Sequence, residues 1–238
     1  MVHFKKINTL RPFDWILIIG IVSVNLIYSV MEGELDFIGS IAAVSGVVCV
    51  VLVARGNILN YLFGIINVSL YAWIAYKAAL YGDAVLNAFY YFPMQFIGWY
   101  SWLGKRKDVE SVTVKARRMK TKERLLLVLF SVVTVAAGAL VLTYFKDPQP
   151  LKDSATTILS VTAMFLMVRR FMEQWVLWVL VNIISVVMWS ITLFQGGEHS
   201  ALMVIMWIFY LANSINGWIT WVRLSRSTQK ESELHVNL

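Results

Sequence analysis

Charge is scarce in this 238-residue chain: 15% of its residues are Asp, Glu, Lys or Arg, against about 25% in soluble domains. Cysteine is nearly absent. Cys49 stands alone inside an apolar run, which excludes an intrachain disulfide and a thiolate metal cluster. His3, His199 and His235 are scattered near the ends of segments. No Gly-x-x-x-x-Gly-Lys stretch occurs, so nothing points to a phosphate loop. No nucleic-acid module is visible, and no cluster of His, Cys, Asp or Glu is placed for catalysis. We therefore expect no catalytic residue, no metal and no cofactor.

Apolar residues are what the chain has in excess, at 59%, with a mean hydropathy of +0.68. Aromatics reach 14%, including ten Trp, a composition suited to interfacial belts or stacking sites. A membrane span needs about 20 mostly apolar residues. Windows of that kind fall at 14–31, 36–54, 58–77, 83–103, 124–144, 154–169, 174–195 and 200–222. The chain is expected to be an all-α polytopic membrane protein. Residues 1–32 form an N-terminal segment whose helix spans or lies in the interface. No small-residue cleavage site follows it, so it is read as an accessory helix and not a removed signal. The polar tail, 225–238, is expected to fray.

Lys and Arg set the orientation. One side collects Arg55, the Lys105–Arg124 run, Arg169, Arg170, Arg223, Arg226 and Lys230. The other has only Lys77, Lys146 and Lys152. This places the basic loop and the C-terminus in the cytoplasm.

The chain also repeats itself. "NYLFGIINVSLY" (60–71) resembles "WVLWVLVNIISVV" (175–187), and an offset of 115 pairs Arg55 with Arg170, Phe63 with Trp178, Asn67 with Asn182 and Gly82 with Gly197. Asp83 then falls on Glu198, while "GWYSW" (98–102) matches "GWITW" (217–221) at an offset of 119. Each half has three helices, and three is odd, so directly joined copies would be inverted. The single segment between them restores a common orientation. The expected plan is 3+1+3: a first repeat at 33–104, a loop and linker helix at 105–150, and a second, parallel repeat at 151–224. Repeats with a site at their interface are a transporter design.

Polar residues inside the spans mark where that site lies. Trp175, Trp178 and Asn182 sit at i, i+3 and i+7, on one helix face. Tyr210 and Asn213 share a face of the last helix, and Asn216 continues it. A lone membrane asparagine more often bonds a neighbouring helix than a ligand. A row of amides with indole is better explained by a planar substrate stacked on Trp, its polar groups read by Asn. Trp73, Trp99, Trp102, Trp189, Trp218 and Trp221 lie mostly near segment ends, and belt or packing roles are expected for them. All fourteen acidic residues lie at segment ends or in loops, and no span centre carries a carboxylate, histidine or lysine. Proton relays and ion-coupled sites rest on such groups, so a neutral or mildly cationic substrate moving down its own gradient fits better.

"NYLFGIINVSLY", "GWYSW" and above all "QWVLWVLVNIISVV" resemble the PnuC family of bacterial nicotinamide riboside transporters, over about residues 36–222. The W-x-x-W-x-x-x-N row is the most specific element. The resemblance implies a SWEET-like fold of two three-helix bundles joined by a linker helix. It implies uptake of nicotinamide riboside by facilitated diffusion across the bacterial inner membrane. Trapping would follow by a cytoplasmic nicotinamide riboside kinase, and assembly into a homo-oligomer is left open. Carried onto this sequence, the motif is Trp175, Trp178 and Asn182, and the Tyr-x-x-Asn pair is Tyr210 and Asn213. Asn67 and Gln95 are added from repeat symmetry and polarity. Phe63 in place of an indole makes the expected site asymmetric. A uniporter of the same fold for a sugar, thiamine or riboflavin is the alternative. A retinal photoreceptor is disfavoured because residues 200–222 lack a lysine.

Overall fold

In hydrocarbon every backbone N–H and C=O must find a partner within the segment, and each apolar stretch accordingly folds as helix. The computed structural model describes residues 10–31, 37–77, 81–106, 113–147, 149–196 and 200–236, with side chains through 229. The helices are α1 (Pro12–Met31), α2 (Phe37–Ala54), α3 (Asn60–Lys77), α4 (Tyr81–Leu86), α5 (Phe92–Leu103), α6 (Thr121–Tyr144), α7 (Pro150–Val168), α8 (Gln174–Phe194) and α9 (Ser200–Val236). Among the described residues six of them, α1, α2, α6, α7, α8 and α9, are long and apolar enough to cross a membrane.

Two expectations about helices need correction. The stretch expected as one helix over 83–103 is a broken rod, with a π-helical turn at Asn87–Tyr91 between α4 and α5. Pro93 explains the break, because its ring and missing N–H disrupt the α-helical ladder of the turn before it. The tail, expected to fray, continues α9 as helix to Val236. Its Gln, Lys, Glu and Leu are good helix formers, and the first turn beyond Arg223 is anchored by buried Ser225.

Packing joins α2, α3 and α5 into one group and α7, α8 and α9 into another. The groups meet through α2 against α9 and α5 against α7. α6 packs on α7, while α1 packs on α2 and α9. α1 is fastened by a buried ion pair: Arg55 donates from Nε and Nη2 to the two Asp14 oxygens, at 2.7 and 2.6 Å.

Local geometry recurs along the chain at a fixed spacing. α2 ends with Gly56 at φ +64° and α7 with Arg170 at φ +64°. The Gly56 N–H reaches Val53 O and the Arg170 N–H reaches Met167 O, at 2.8 and 2.9 Å. Asn57 to Leu52 O is matched by Phe171 to Leu166 O, each at 2.9 Å. Two fully buried indoles then cross between the groups. Trp102 Nε1 donates to Met167 O at 3.1 Å, and Trp221 Nε1 to Val53 O at 2.8 Å. Trp102 meets the Tyr61 ring edge-on with centroids 5.1 Å apart, and Trp221 meets Trp175 at 6.3 Å. Gly98 under Tyr61 and Gly217 under Trp175 leave no room for a Cβ. Trp102 and Trp221 are therefore packing residues, not belt residues.

These correspondences set the register at 114 between the α2–α3 and α7–α8 regions, one residue from the 115 suggested by matching letters, and keep 119 between α5 and α9. The counterparts of Trp175, Trp178 and Asn182 are thus Tyr61, Gly64 and Val68, in place of the expected Phe63–Trp178 and Asn67–Asn182 pairs. Glycine and arginine hold the same left-handed turn position, which identity matching cannot reveal. Gly197 and Glu198 lie outside the described residues.

Part of the basic loop lies across these two turns as a strap. Val114 N–H donates to Gly56 O at 2.9 Å, Arg117 N–H to Arg170 O at 2.7 Å, and Met172 N–H returns to Arg117 O at 3.0 Å. Val114 and Ala116 are buried against Tyr61, Trp102, Trp175 and Trp221. Burial, with Arg117 nearby, pulls the Arg170 guanidinium below the usual arginine range. Residues 107–112 of this loop lie outside the described residues.

Candidate functional site

A cavity of about 300 Å3 lies between the two helix groups. Seven of the nine residues expected at the site line it: Asn67, Gln95, Trp175, Trp178, Asn182, Tyr210 and Asn213. α8 supplies the Trp/Asn row from one face, as the i, i+3, i+7 spacing requires. Asn182 is held in place by its Nδ2, which donates to Ser214 Oγ at 2.7 Å and Tyr210 O at 3.2 Å. Asn67 Nδ2 reaches Ala42 O at 2.8 Å, Gln95 Nε2 reaches Tyr91 O at 3.3 Å, and Asn213 Nδ2 reaches Val50 O at 3.2 Å. Asn67, Asn182 and Asn213 thus tie neighbouring helices together while Gln95 bonds within its own rod, and in each case that is only part of the amide's capacity.

Four buried polar atoms on the lining side chains have no protein partner: the acceptors Gln95 Oε1 and Asn213 Oδ1, and the donors Trp175 Nε1 and Trp207 Nε1. Each costs about 1–3 kcal/mol if left unsatisfied. An occupant with both donors and acceptors removes that penalty. The lining also carries aromatic faces from Tyr91, Trp175, Trp178, Trp207 and Tyr210, and no Asp, Glu, Lys, Arg or His. Such a lining suits a planar or hydroxylated molecule without a strong negative charge. Among the described residues no group of three or more His, Cys, Asp or Glu is placed to hold a metal ion.

Phe63 and Asn216 do not line the cavity. On α3 the facing residues are Gly64, Asn67 and Val68, and Phe63 lies about 100° round the helix from Gly64. On α9 the facing residues are Trp207, Tyr210, Asn213 and Ser214, leaving Asn216 about 120° from the middle of that face. Asn67 and Asn182 do line it, but their amides bond α2 and α9 respectively and are not symmetry mates.

Asn87, Tyr91, Trp207, Ser214, Met164, Met167 and Cys49 also line the cavity and were not expected there. Signals existed for three. Extending the 119 offset backwards from "GWYSW" pairs Tyr91 with Tyr210 and Gln95 with Ser214. Trp207 sits well inside its apolar run, where an interfacial belt does not account for it.

Comparison with known proteins fits this arrangement. A family model described as nicotinamide mononucleotide transporter matches residues 36–223. The nicotinamide riboside transporter PnuC of Neisseria mucosa is 40% identical over 194 residues, 79% of this chain and 73% of that protein. The Haemophilus influenzae protein of the same name is 30% identical over 227 residues, covering 92% and 93% of the two chains. A crystal structure of the vitamin B3 transporter PnuC superposes with a TM-score of 0.75 at 34% identity, over 92% of this chain and 94% of that one. Two helix groups around an uncharged aromatic cavity thus sit in a chain that belongs to the PnuC family, membrane transporters and not enzymes.

Proposed function

We propose that the chain carries nicotinamide riboside across the bacterial cytoplasmic membrane, through the cavity between its helix groups. One observation carries this choice of substrate: the cavity offers indole and phenol faces and unpaired hydrogen-bonding atoms, but no charged side chain. The riboside presents a cationic pyridinium ring, a carboxamide and ribose hydroxyls. Aromatic faces attract such a cation, and buried amides read the polar groups. The mononucleotide adds a phosphate, which needs a cationic partner when taken out of water. No Lys or Arg lines the cavity to supply one. The riboside named for the relatives therefore fits better than the mononucleotide named for the family model.

The matching pairs Trp102–Met167 and Trp221–Val53 support a 3+1+3 architecture of two parallel three-helix repeats, 33–104 and 151–224, joined by the loop and linker at 105–150 in a SWEET-like plan. Residues 1–32 add the accessory helix, and 225–238 form the tail, whose part up to Val236 extends the last helix. The lack of Asp, Glu, Lys, Arg and His along the cavity supports facilitated diffusion by alternating access, with trapping by intracellular phosphorylation.

Proteoliposomes containing the full-length protein test the substrate and the coupling together. Labelled nicotinamide riboside is expected to enter until inside and outside concentrations match, with or without imposed proton or sodium gradients. The mononucleotide, glucose, thiamine and riboflavin in excess should compete poorly. Uphill accumulation abolished by an ionophore would overturn the coupling, and stronger competition by the mononucleotide would overturn the substrate.

The charge asymmetry supports a cytoplasmic location for the basic loop and the C-terminus. Lys122 is exposed at the start of α6. A cysteine in its place is expected to resist an impermeant maleimide in intact cells and to react once the cells are opened. Rapid labelling in intact cells would invert the topology.

A further inference from the structure

Away from the central cavity, α6, α7, α8 and α9 enclose a groove of about 900 Å3 on the outer face of the bundle. Its walls are aliphatic, with Leu127, Val132, Val135, Leu159, Leu177 and Leu180 among them. α6 packs on α7, where the Ser154 hydroxyl donates to Val135 O at 2.8 Å. The side of α6 towards α8 and α9 is left facing the slot.

Polarity gathers at one end. Arg118, Arg124, Arg226 and Glu173 rim the mouth. Arg124 bonds Glu173 Oε1 through Nε and Nη2 at 3.0 and 2.8 Å, and the Met119 N–H adds a bond to the same oxygen at 3.1 Å. That pair is neutral. Arg118 and Arg226 are exposed, and among the described residues no carboxylate pairs with either. The rim therefore carries two uncompensated positive charges above an aliphatic slot. From Arg124 to Ala136, both lining residues, α6 rises about 18 Å at ~1.5 Å per residue. One leaflet of hydrocarbon is about half of ~30 Å, so the slot runs the depth of a single leaflet.

We propose that this groove binds an anionic glycerophospholipid, its acyl chains along the α6–α8 slot and its phosphodiester on the Arg118–Arg226 rim. Depth favours a lipid over a soluble anion, and the two free guanidinium groups favour an anionic headgroup over a zwitterionic one. A lipid seated there fills the space between α6 and α8–α9, tying the linker helix to the second helix group. Each arginine beside an anionic headgroup is worth about fivefold in affinity, so the pair gives roughly 25-fold selectivity.

Native mass spectrometry of the full-length protein in a neutral detergent, titrated with phosphatidylglycerol or with phosphatidylcholine of the same chains, provides the test. Phosphatidylglycerol is expected to bind at least tenfold more tightly and to raise the melting temperature. Inorganic phosphate should do neither. The Arg118→Gln/Arg226→Gln variant should lose that preference while keeping nicotinamide riboside binding and the parent's gel-filtration profile. Val132→Trp, which fills the slot and spares the rim, should weaken both lipids. Equal binding of the two lipids by the parent, or full preference in the double arginine variant, overturns the proposal. So does a dimer or higher assembly that carries no lipid and is broken by Val132→Trp, since a second copy would then occupy the groove.

Discussion

Asp14→Ala should destabilise the protein more than any change in the central cavity. Asp14 and Arg55 are both almost fully buried, and each carboxylate oxygen takes a guanidinium N–H. Removing the acid leaves Arg55 buried and unpaired, and breaking a buried pair in this way costs about 3–5 kcal/mol. For a chain of this size each kcal/mol lowers the melting temperature by about 2–4 °C. The expected drop is thus roughly 6–20 °C in detergent, read by intrinsic tryptophan fluorescence. Replacing both partners by apolar residues of similar size, Asp14→Leu with Arg55→Met, should recover most of it. The helix read from sequence as an accessory then proves to be a structural clamp on α2. A melting temperature for Asp14→Ala within about 2 °C of the parent would mean that water reaches the arginine.

Trp178→Ala and Asn182→Ala carry the largest expected effects on ligand binding. Base stacking on an aromatic side chain is worth about 1–3 kcal/mol in nucleic-acid-binding proteins. A lost bond to a buried polar group costs a similar amount. Each 1.4 kcal/mol is about tenfold in affinity, so either variant should weaken nicotinamide riboside by about tenfold or more in calorimetry. Asn182 uses Nδ2 to hold Ser214 and Tyr210 O, which leaves its carbonyl oxygen for a ligand donor. Trp178→Phe should be milder because a ring remains, and Asn67→Ala should give a smaller loss. A neutral control must lie outside the cavity and the core, which rules out Trp221, fully buried and bonded to Val53 O. Its truncation should cost about 3–5 kcal/mol of stability. Trp73, which is half exposed, serves instead. Parent-like binding by both Trp178→Ala and Asn182→Ala would move the site elsewhere.

The helices and the α8 row that lines the cavity were legible because their signals are local. Apolar length announces a helix, and the Trp175–Trp178–Asn182 row announces one face of it. What depended on partners was not legible. Trp102 and Trp221 sit near segment ends like belt residues, and only their acceptors, Met167 O and Val53 O, reveal them as crossing bonds. Phe63 was chosen by an alignment of letters, whereas the backbone aligns Gly56 with Arg170 and so Gly64 with Trp178. Asn216 looked like a continuation of Tyr210 and Asn213, but steps of three drift backwards round the helix by about 60° each. Asn87 lines the cavity with Tyr91 and Gln95 at i, i+4 and i+8, a same-face spacing that was open to view but lacked a motif to single it out.

The strap couples motions that would otherwise be separate. A single short run, Val114 to Arg117, is bonded to the turn after α2 and to the turn after α7, and the two indole bonds cross beside it. Parting the helix groups at this end strains all four attachments at once, and none can be released alone without stranding buried polar groups. Opening here is therefore a switch with few intermediate positions. Its barrier is set by a bundle of bonds breaking together, and its rate should rise steeply on warming.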